Sequence, residues 1–353
     1  MRGLWLLLCV VGLSACARES FPPGVTVLTY ASPYSPQHPF SRADITWIKW
    51  IEAQSGGTIR IKPYWSGALL SSEQSLTELR HGVADIGLVT PIYSRGGTQL
   101  IRVQAGFYLG TSTYAQQTAL YRCLQAAEPE FDRELHGLKV LAVQGGNLPG
   151  IVTRERPVRT LEDLRGLRLR APSELLGLLE ELGADPVDMP MGEVYSALAK
   201  GVLDGVVAPA DTLRSLHFAE VAHYFNTIRV PRGAYASRAM GDARWNQLTP
   251  AQHALLERGI AVWEQALATE IEAAEHAGER AGHAEGVGFF DISQADQHRF
   301  DAIYESVAER HAQGLARYGI DAMASFRRAR AIANGLKASG EIQCEKGNDR
   351  ETA

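Results

Sequence analysis

The sequence predicts an α/β protein of two similar lobes with a cleft between them, two chain crossings and one long helix spanning both lobes. Three observations predict it. Residues 157–209 pass twice from a strand through a helix into the next strand, a rhythm that pairs strands in parallel across helical crossovers. Gly82-Val-Ala-Asp85 and Gly201-Val-Leu-Asp204 each enter a strand, one in each half of the chain. Thr249-Pro250 opens a helix of roughly thirty residues, about 45 Å long and so able to lie across both lobes. The 353 residues are 45% hydrophobic and 21% charged, an ordinary globular composition with room for two domains. The formal charge is -5 with both signs interspersed, and no basic patch argues for nucleic acid.

Residues 1–16 read as a targeting segment. Arg2 is the basic start and residues 4–13 the apolar run, which is too short to span a membrane as a mature helix. The ending Leu13-Ser14-Ala15-Cys16 is similar to a bacterial lipobox. Cleavage there leaves Cys16 first, carrying lipid and anchoring the chain to an envelope membrane. Residues 17–24 form a tether. The expected first lobe takes residues 25–146 and 233–270, the second 147–232 and 271–340, and residues 341–353 are a tail. Cys9 leaves with the signal, so Cys123 and Cys344 remain in an oxidising compartment, where a disulfide between them is the economical pairing. Two separate thiols are the alternative.

Residues 25–30 alternate as a strand. A Pro- and Ser-rich loop follows, placing Tyr34 and His38 at the strand's carboxyl end, and residues 41–55 form a helix with Trp47, Ile48 and Ile51 on its apolar face. Strands are predicted over 58–64 and 86–90, with a helix over 72–81 between them. Pro91, Tyr93 and Ser94 end the latter strand; Tyr93 both stacks and donates. Residues 112–134 read as one helix and 137–144 as a strand. Gly145-Gly-Asn147 and Pro149-Gly150 mark the first crossing.

In the second lobe residues 151–154 begin the sheet. Leu167, Leu169 and Ala171 alternate with Arg168 and Arg170, the period of a strand. Pro172 stops pairing. A leucine-rich helix spans 174–182 and ends at Gly183. Residues 189–191 are expected to be extended, 193–200 helical and 202–207 a strand. Ligands in such sheets sit beyond the carboxyl ends of the strands, where Arg170 lies. A guanidinium there meets a carboxylate in a bidentate fork that lysine cannot copy. Residues 212–221 are helical and 224–230 extended. Pro231 and Gly233 mark the second crossing, and 234–237 return to the first lobe. After the long helix come a strand at 286–291 and helices at 296–317 and 327–339.

The run Asp163-Leu-Arg-Gly-Leu-Arg-Leu-Arg170, with Leu182-Gly-Ala184, Met191-Gly-Glu-Val-Tyr-Ser-Ala-Leu198 and Gly201-Val-Leu-Asp-Gly205, resembles the solute-binding proteins of tripartite ATP-independent periplasmic (TRAP) transporters, of the dicarboxylate-binding type. The resemblance extends weakly over most of residues 25–338. It implies a periplasmic-binding-protein-like fold, a spanning helix, membrane permease subunits as partners, and Arg170 as the clamp on the substrate carboxylate. The other candidate ligand contacts are Tyr34, His38, Pro91, Tyr93, Gln144, Ala208, Pro209 and Tyr235. Glu193, at the start of the next helix, is expected to orient an arginine or hold the lobe, since a carboxylate repels an anionic ligand. Two positions depart from the family pattern. Ala208 stands where the family commonly has asparagine, and Leu148-Pro149-Gly150 where it often has a second arginine. Both losses favour a monocarboxylate with an apolar body, such as a 2-oxo acid, over a C4-dicarboxylate.

The chain carries no Gly-x-Ser-x-Gly elbow, Walker loop, dinucleotide fingerprint or His-Glu-x-x-His. His276 and His283, seven apart on the long helix, read as a solvated face rather than a metal site. No cofactor or metal is expected. Two other classes remain: the ligand-binding module of a periplasmic sensor, which would use the same cleft, and an envelope enzyme, which the missing nucleophile and base disfavour.

Overall fold

The computed structural model describes residues 23–94 and 96–344. The expected signal, most of the tether, Cys16 and the end of the tail lie outside the described residues. Among the described residues two sheets form. The first contains β1 (Thr26–Ala31), β2 (Ile59–Tyr64), β3 (Ile86–Leu88), β4 (Leu138–Gln144) and β10 (Tyr235–Gly241), in the order β2-β1-β3-β10-β4. The second contains β5 (Gly150–Thr153), β6 (Arg168–Arg170), β7 (Asp185–Val187), β8 (Gly205–Ala208), β9 (Tyr224–Thr227) and β11 (Gly288–Asp291), in the order β11-β9-β5-β8-β6-β7. The mixed α/β class and the two lobes stand as expected.

Parallel pairing holds within each wound segment: β1 with β2 and β3, and β6 with β7 and β8. The crossing strands differ. β5 runs antiparallel to β8 and β9, and β10 antiparallel to β3 and β4. β5 and β10 are the strands by which the chain enters each sheet from the other lobe.

Twelve α-helices are described. The first lobe carries α1 (Pro39–Gln54), α2 (Ser75–Arg80), α3 (Gln99–Gln104), α4 (Tyr114–Ala127) and α5 (Glu130–Glu134). The second carries α6 (Leu176–Glu181), α7 (Val194–Ala199) and α8 (Thr212–Ser215). Then follow α9 (Asp242–Trp245), α10 (Pro250–Ala284), α11 (Gln294–Gly314) and α12 (Ala322–Ser339). Several expectations need correction. The helix expected over 112–134 is two helices, because Glu128 turns extended before Pro129 and ends α4. The strand expected at 189–191 sits at 185–187. Pro190 opens a single 3-10 turn instead. The last helix starts five residues early, at Ala322, because the Asp321 side chain accepts from the Ala324 amide and caps it.

α10 is capped as the sequence indicates: Thr249 accepts from the Gln252 amide and Pro250 takes the first position. Its first half packs Leu255, Leu256, Trp263 and Leu267 into the first lobe. Its second half lays Gly278 on the backbone of Ala210 and Gly282 against Leu213 and Phe289, in the second. α11 also straddles: Phe300, Tyr304 and Val307 join the second lobe's core, while Ala308 and Ala312 join the first's. The assignment of 271–340 to the second lobe therefore fails at its end. Phe326, Ala329 and Ile332 of α12 lie in the first lobe's core with Leu120, Leu124 and Phe131. A disulfide joins Cys123 of α4 to Cys344 just beyond α12.

A buried ion pair ties the first lobe together. Asp44 of α1 and Arg238 of β10 are both fully buried and 2.8 Å apart. Asp44 also accepts from Trp263 Nε1 at 2.8 Å and from the Tyr30 hydroxyl at 2.5 Å. Four elements thus meet on one carboxylate, behind the wall of the cleft.

Candidate functional site

The parallel strands β6 and β8 end together at the face that looks across to the first lobe. Arg170 is the last residue of β6 and only 1% exposed. Its Nε donates to the Met189 carbonyl at 2.8 Å, and its Nη2 donates to the Tyr93 hydroxyl at 2.6 Å. The guanidinium carbon stands 5.6 Å from the centre of the Tyr93 ring. Tyr93 belongs to the first lobe, so this bond joins the lobes. No described carboxylate forms an ion pair with Arg170 within 4 Å.

Both lobes and both crossings line one cavity around this arginine. The centre of a water molecule can sweep about 110 Å³ of it, where a single water needs about 10–15 Å³. A small organic molecule fits that space. One wall is aromatic. Tyr34 stacks on His38 at 4.0 Å between ring centres, and Phe40 meets both edge-on. His38 is 5% exposed, caps α1 by accepting from the Phe40 amide at 3.2 Å, and is pushed down to about 3 by burial. It is therefore a neutral ring at physiological pH. Burial likewise raises the Tyr34 and Tyr235 hydroxyls above the ordinary phenol range, so both stay protonated as donors. Ile92, Leu175, Met191 and Leu216 supply apolar surface.

Of the sequence-predicted contacts, Tyr34, His38, Tyr93, Arg170, Pro209 and Tyr235 line this cavity together. Four do not. Pro91 is buried at the head of a 3-10 turn and accepts from Thr98 through its carbonyl; it positions Ile92 and Tyr93. Gln144 points into the first lobe, where its side-chain oxygen accepts from Arg238 at 2.9 Å. Ala208 is buried in the second lobe's core. Glu193, which was expected beside the site rather than in contact with the ligand, is exposed in a 3-10 turn and lines no part of the cavity.

The carboxylates at the cavity are Glu174 and Asp211, and its second cation is Arg232. None was anticipated. Glu174 is raised to about 7 by burial, against the opposing charge of Arg170, and its Oε2 is buried with no hydrogen-bond partner among the described residues. Asp211 is raised to about 6 by burial, with Arg232 opposing. The signal for Glu174 was its place in the same strand-end turn as Arg170. The signal for Arg232 was a cation between the two crossing markers, Pro231 and Gly233. The site thus offers the buried Arg170 guanidinium, the half-buried Arg232 guanidinium and tyrosine hydroxyls in an apolar setting, which suits a carboxylate attached to an apolar body.

Three comparisons bear on this geometry. Residues 30–314 match the family described as bacterial extracellular solute-binding protein, family 7. A protein of Salmonella typhimurium described as uncharacterized is 27% identical over 60% of this chain and 64% of its own length. A protein of Nostoc described as a monocarboxylate 2-oxoacid-binding periplasmic protein is 25% identical over 47% of this chain and 46% of its own. The chain thus spans less than two thirds of either relative. The crystal structure of a TRAP solute-binding protein from Rhodoferax ferrireducens, in complex with copurified benzoate, has a TM-score of 0.81 at 23% identity. It covers 90% of this chain and 100% of that one. The last likeness is one of fold.

Proposed function

Because the chain belongs to family 7 of the bacterial extracellular solute-binding proteins, the substrate-binding type of TRAP transporters, we propose that it captures a small monocarboxylic acid with an apolar body. A 2-oxo acid is the favoured ligand, and the protein delivers it to TRAP permease subunits in the membrane. The observation that carries this reading is Arg170, buried at a strand end in an interlobe cavity with no carboxylate among the described residues paired to it. The aromatic wall and apolar floor supply the surface for the ligand's body. The 2-oxoacid-binding relative and the benzoate-bound neighbour support the acid class. Capture rather than turnover is the task, since binding stabilises closure only while the ligand touches both lobes.

The test is mass spectrometry of what copurifies, followed by titration calorimetry with that acid. Arg170→Ala leaves the carboxylate unmatched in a buried site and costs roughly 2–5 kcal/mol, or about 30- to several-thousand-fold in affinity. Arg170→Lys recovers little, because an ammonium lacks the planar fork. Near-parental affinity in Arg170→Ala with an intact fold would place the acid elsewhere.

We further propose that Cys16 carries lipid and tethers the protein to an envelope membrane, on the strength of Leu13-Ser-Ala-Cys16 behind an apolar run. Cys16→Ser should move the protein to the soluble periplasmic fraction; unchanged fractionation rules the anchor out.

A further inference from the structure

We propose that Arg232 is a second ligand-contacting cation, reading an oxygen acceptor on the ligand other than the carboxylate at Arg170. This rests on the reading of the cavity as an organic-acid site. Arg232 lies on the second crossing and lines the same cavity as Arg170, but from the hinge rather than from a strand end. The first crossing is shaped to receive it. A Cβ at Gly146 would stand 2.4 Å from the Arg232 guanidinium carbon and 2.6 Å from its Nε. Only glycine leaves room for the flat group there. On the other side Gly233 is pressed to Ala105, where a Cβ would meet backbone at 2.6 Å. Both neighbours therefore fix the backbone and the plane of the guanidinium.

What holds the head group is weak. Among the described residues its one hydrogen bond is from Nη1 to the Asn147 carbonyl, at 3.4 Å, and no carboxylate there pairs with it within 4 Å. A half-buried guanidinium whose donors are mostly left over, held flat in a ligand cavity, is arranged for an external acceptor. The apolar residues already account for the ligand's body, and Arg170 for its carboxylate. The remaining acceptor is an oxo, hydroxyl or second carboxylate oxygen. Leu148-Pro149-Gly150 of the first crossing carries no arginine, and the second crossing supplies one instead. Because Arg232 sits where the chain passes between lobes, the same contact ties ligand occupancy to the hinge.

The experiment uses two matched sets of acids: phenylacetate, mandelate and benzoylformate, and butanoate, 2-hydroxybutanoate, 2-oxobutanoate and succinate. Affinities are measured by calorimetry on the parent, Arg232→Met, Gly146→Ala and Arg170→Met. In the parent, within at least one set, members with a second oxygen group should bind at least about tenfold tighter than the plain acid, as a hydrogen bond to a charged group implies. In Arg232→Met that preference should collapse, with a markedly larger loss for acids carrying the second oxygen group than for the plain acid. Gly146→Ala, which displaces the guanidinium without removing it, should weaken the preference in the same direction. A merely structural strut would lower all affinities alike. A preference absent from the parent, or undiminished in Arg232→Met, overturns the inference. If no acid binds the parent, or Arg170→Met binds all as the parent does, the organic-acid reading itself fails.

Discussion

Glu174 sits where two effects oppose. Burial disfavours its charged form and the nearby Arg170 and Arg102 charges favour it, while Asp188 adds to the burial effect; burial wins and the carboxyl is pushed up to about 7. The native state therefore keeps a proton between about pH 4.5 and 7 that the unfolded chain has lost. Stability from this group is fully present below about pH 4.5 and is lost as pH rises through about 7. Glu174→Gln removes the titration at nearly constant shape. Its stability relative to the parent should grow from pH 5 to pH 8 by on the order of 2 kcal/mol, measured by chemical denaturation at both pH values. An unchanged difference would show that Glu174 is not desolvated. His38 acts in the opposite sense: with its folded value near 3, its contribution is present above about pH 6.5 and lost on acidification. The difference between variant and parent is thus the informative quantity. At this scale Arg170 was legible because strand period, Pro172 and the resemblance coincide on one residue. Glu174, Asp211 and Arg232 were not: the strand-end turn and the crossing markers place Glu174 and Arg232 near the cleft, but nothing local tells a strand-end carboxylate or a hinge arginine from a solvated one.

The elements were legible where their ends carry chemistry and illegible where tertiary contacts decide. Thr249 and Pro250 announced α10 at its start, but its glycines carried no message in the sequence. Gly278 is a seat: a Cβ there would lie 2.1 Å from the Ala210 carbonyl oxygen and 2.5 Å from Asp211 Cα. Both are backbone, so the helix must lift off the second lobe. Gly278→Ala gains about 1 kcal/mol of helix propensity and loses about 1–3 kcal/mol to overpacking, with the further loss of the Glu275 bond to the Asp211 amide, 3.2 Å long. A net fall in thermal midpoint is expected by circular dichroism. Gly314→Ala, at the last residue of α11 with nothing within 4 Å of the new methyl, should not lower it. Equal midpoints for the two variants would mean that α10 is free to shift. α12 shows the other limit. A helix was readable there, yet a helix does not name its partner sheet, and only the expected bond from Cys344 to Cys123 hinted at the first lobe.

At the scale of the molecule, two lobes are joined by two crossings and by two straddling helices, α10 and α11. The crossings touch: the Val230 amide donates to the Pro149 carbonyl at 3.0 Å. At the cavity the interlobe link is the bond from Arg170 Nη2 to the Tyr93 hydroxyl. This bond has one charged partner and is part-buried, so it is worth roughly 1.5–3 kcal/mol. It favours the closed arrangement and holds the fork of Arg170 in the plane the carboxylate must meet. A ligand can shift the open–closed balance only by its differential affinity for the two states. Whatever Tyr93 contributes to closure is therefore closure the ligand need not drive. Tyr93→Phe keeps the ring and its stacking but removes the hydroxyl. Without added acid, the variant should populate more open forms and show a larger radius of gyration by small-angle X-ray scattering. Saturating acid should restore the parental radius, at a higher acid concentration, because part of the binding energy now drives closure. Calorimetry should report a several-fold weaker affinity. A parental radius and parental affinity together would show that the lobes are held by the crossings and helices alone, with Tyr93 serving only as wall.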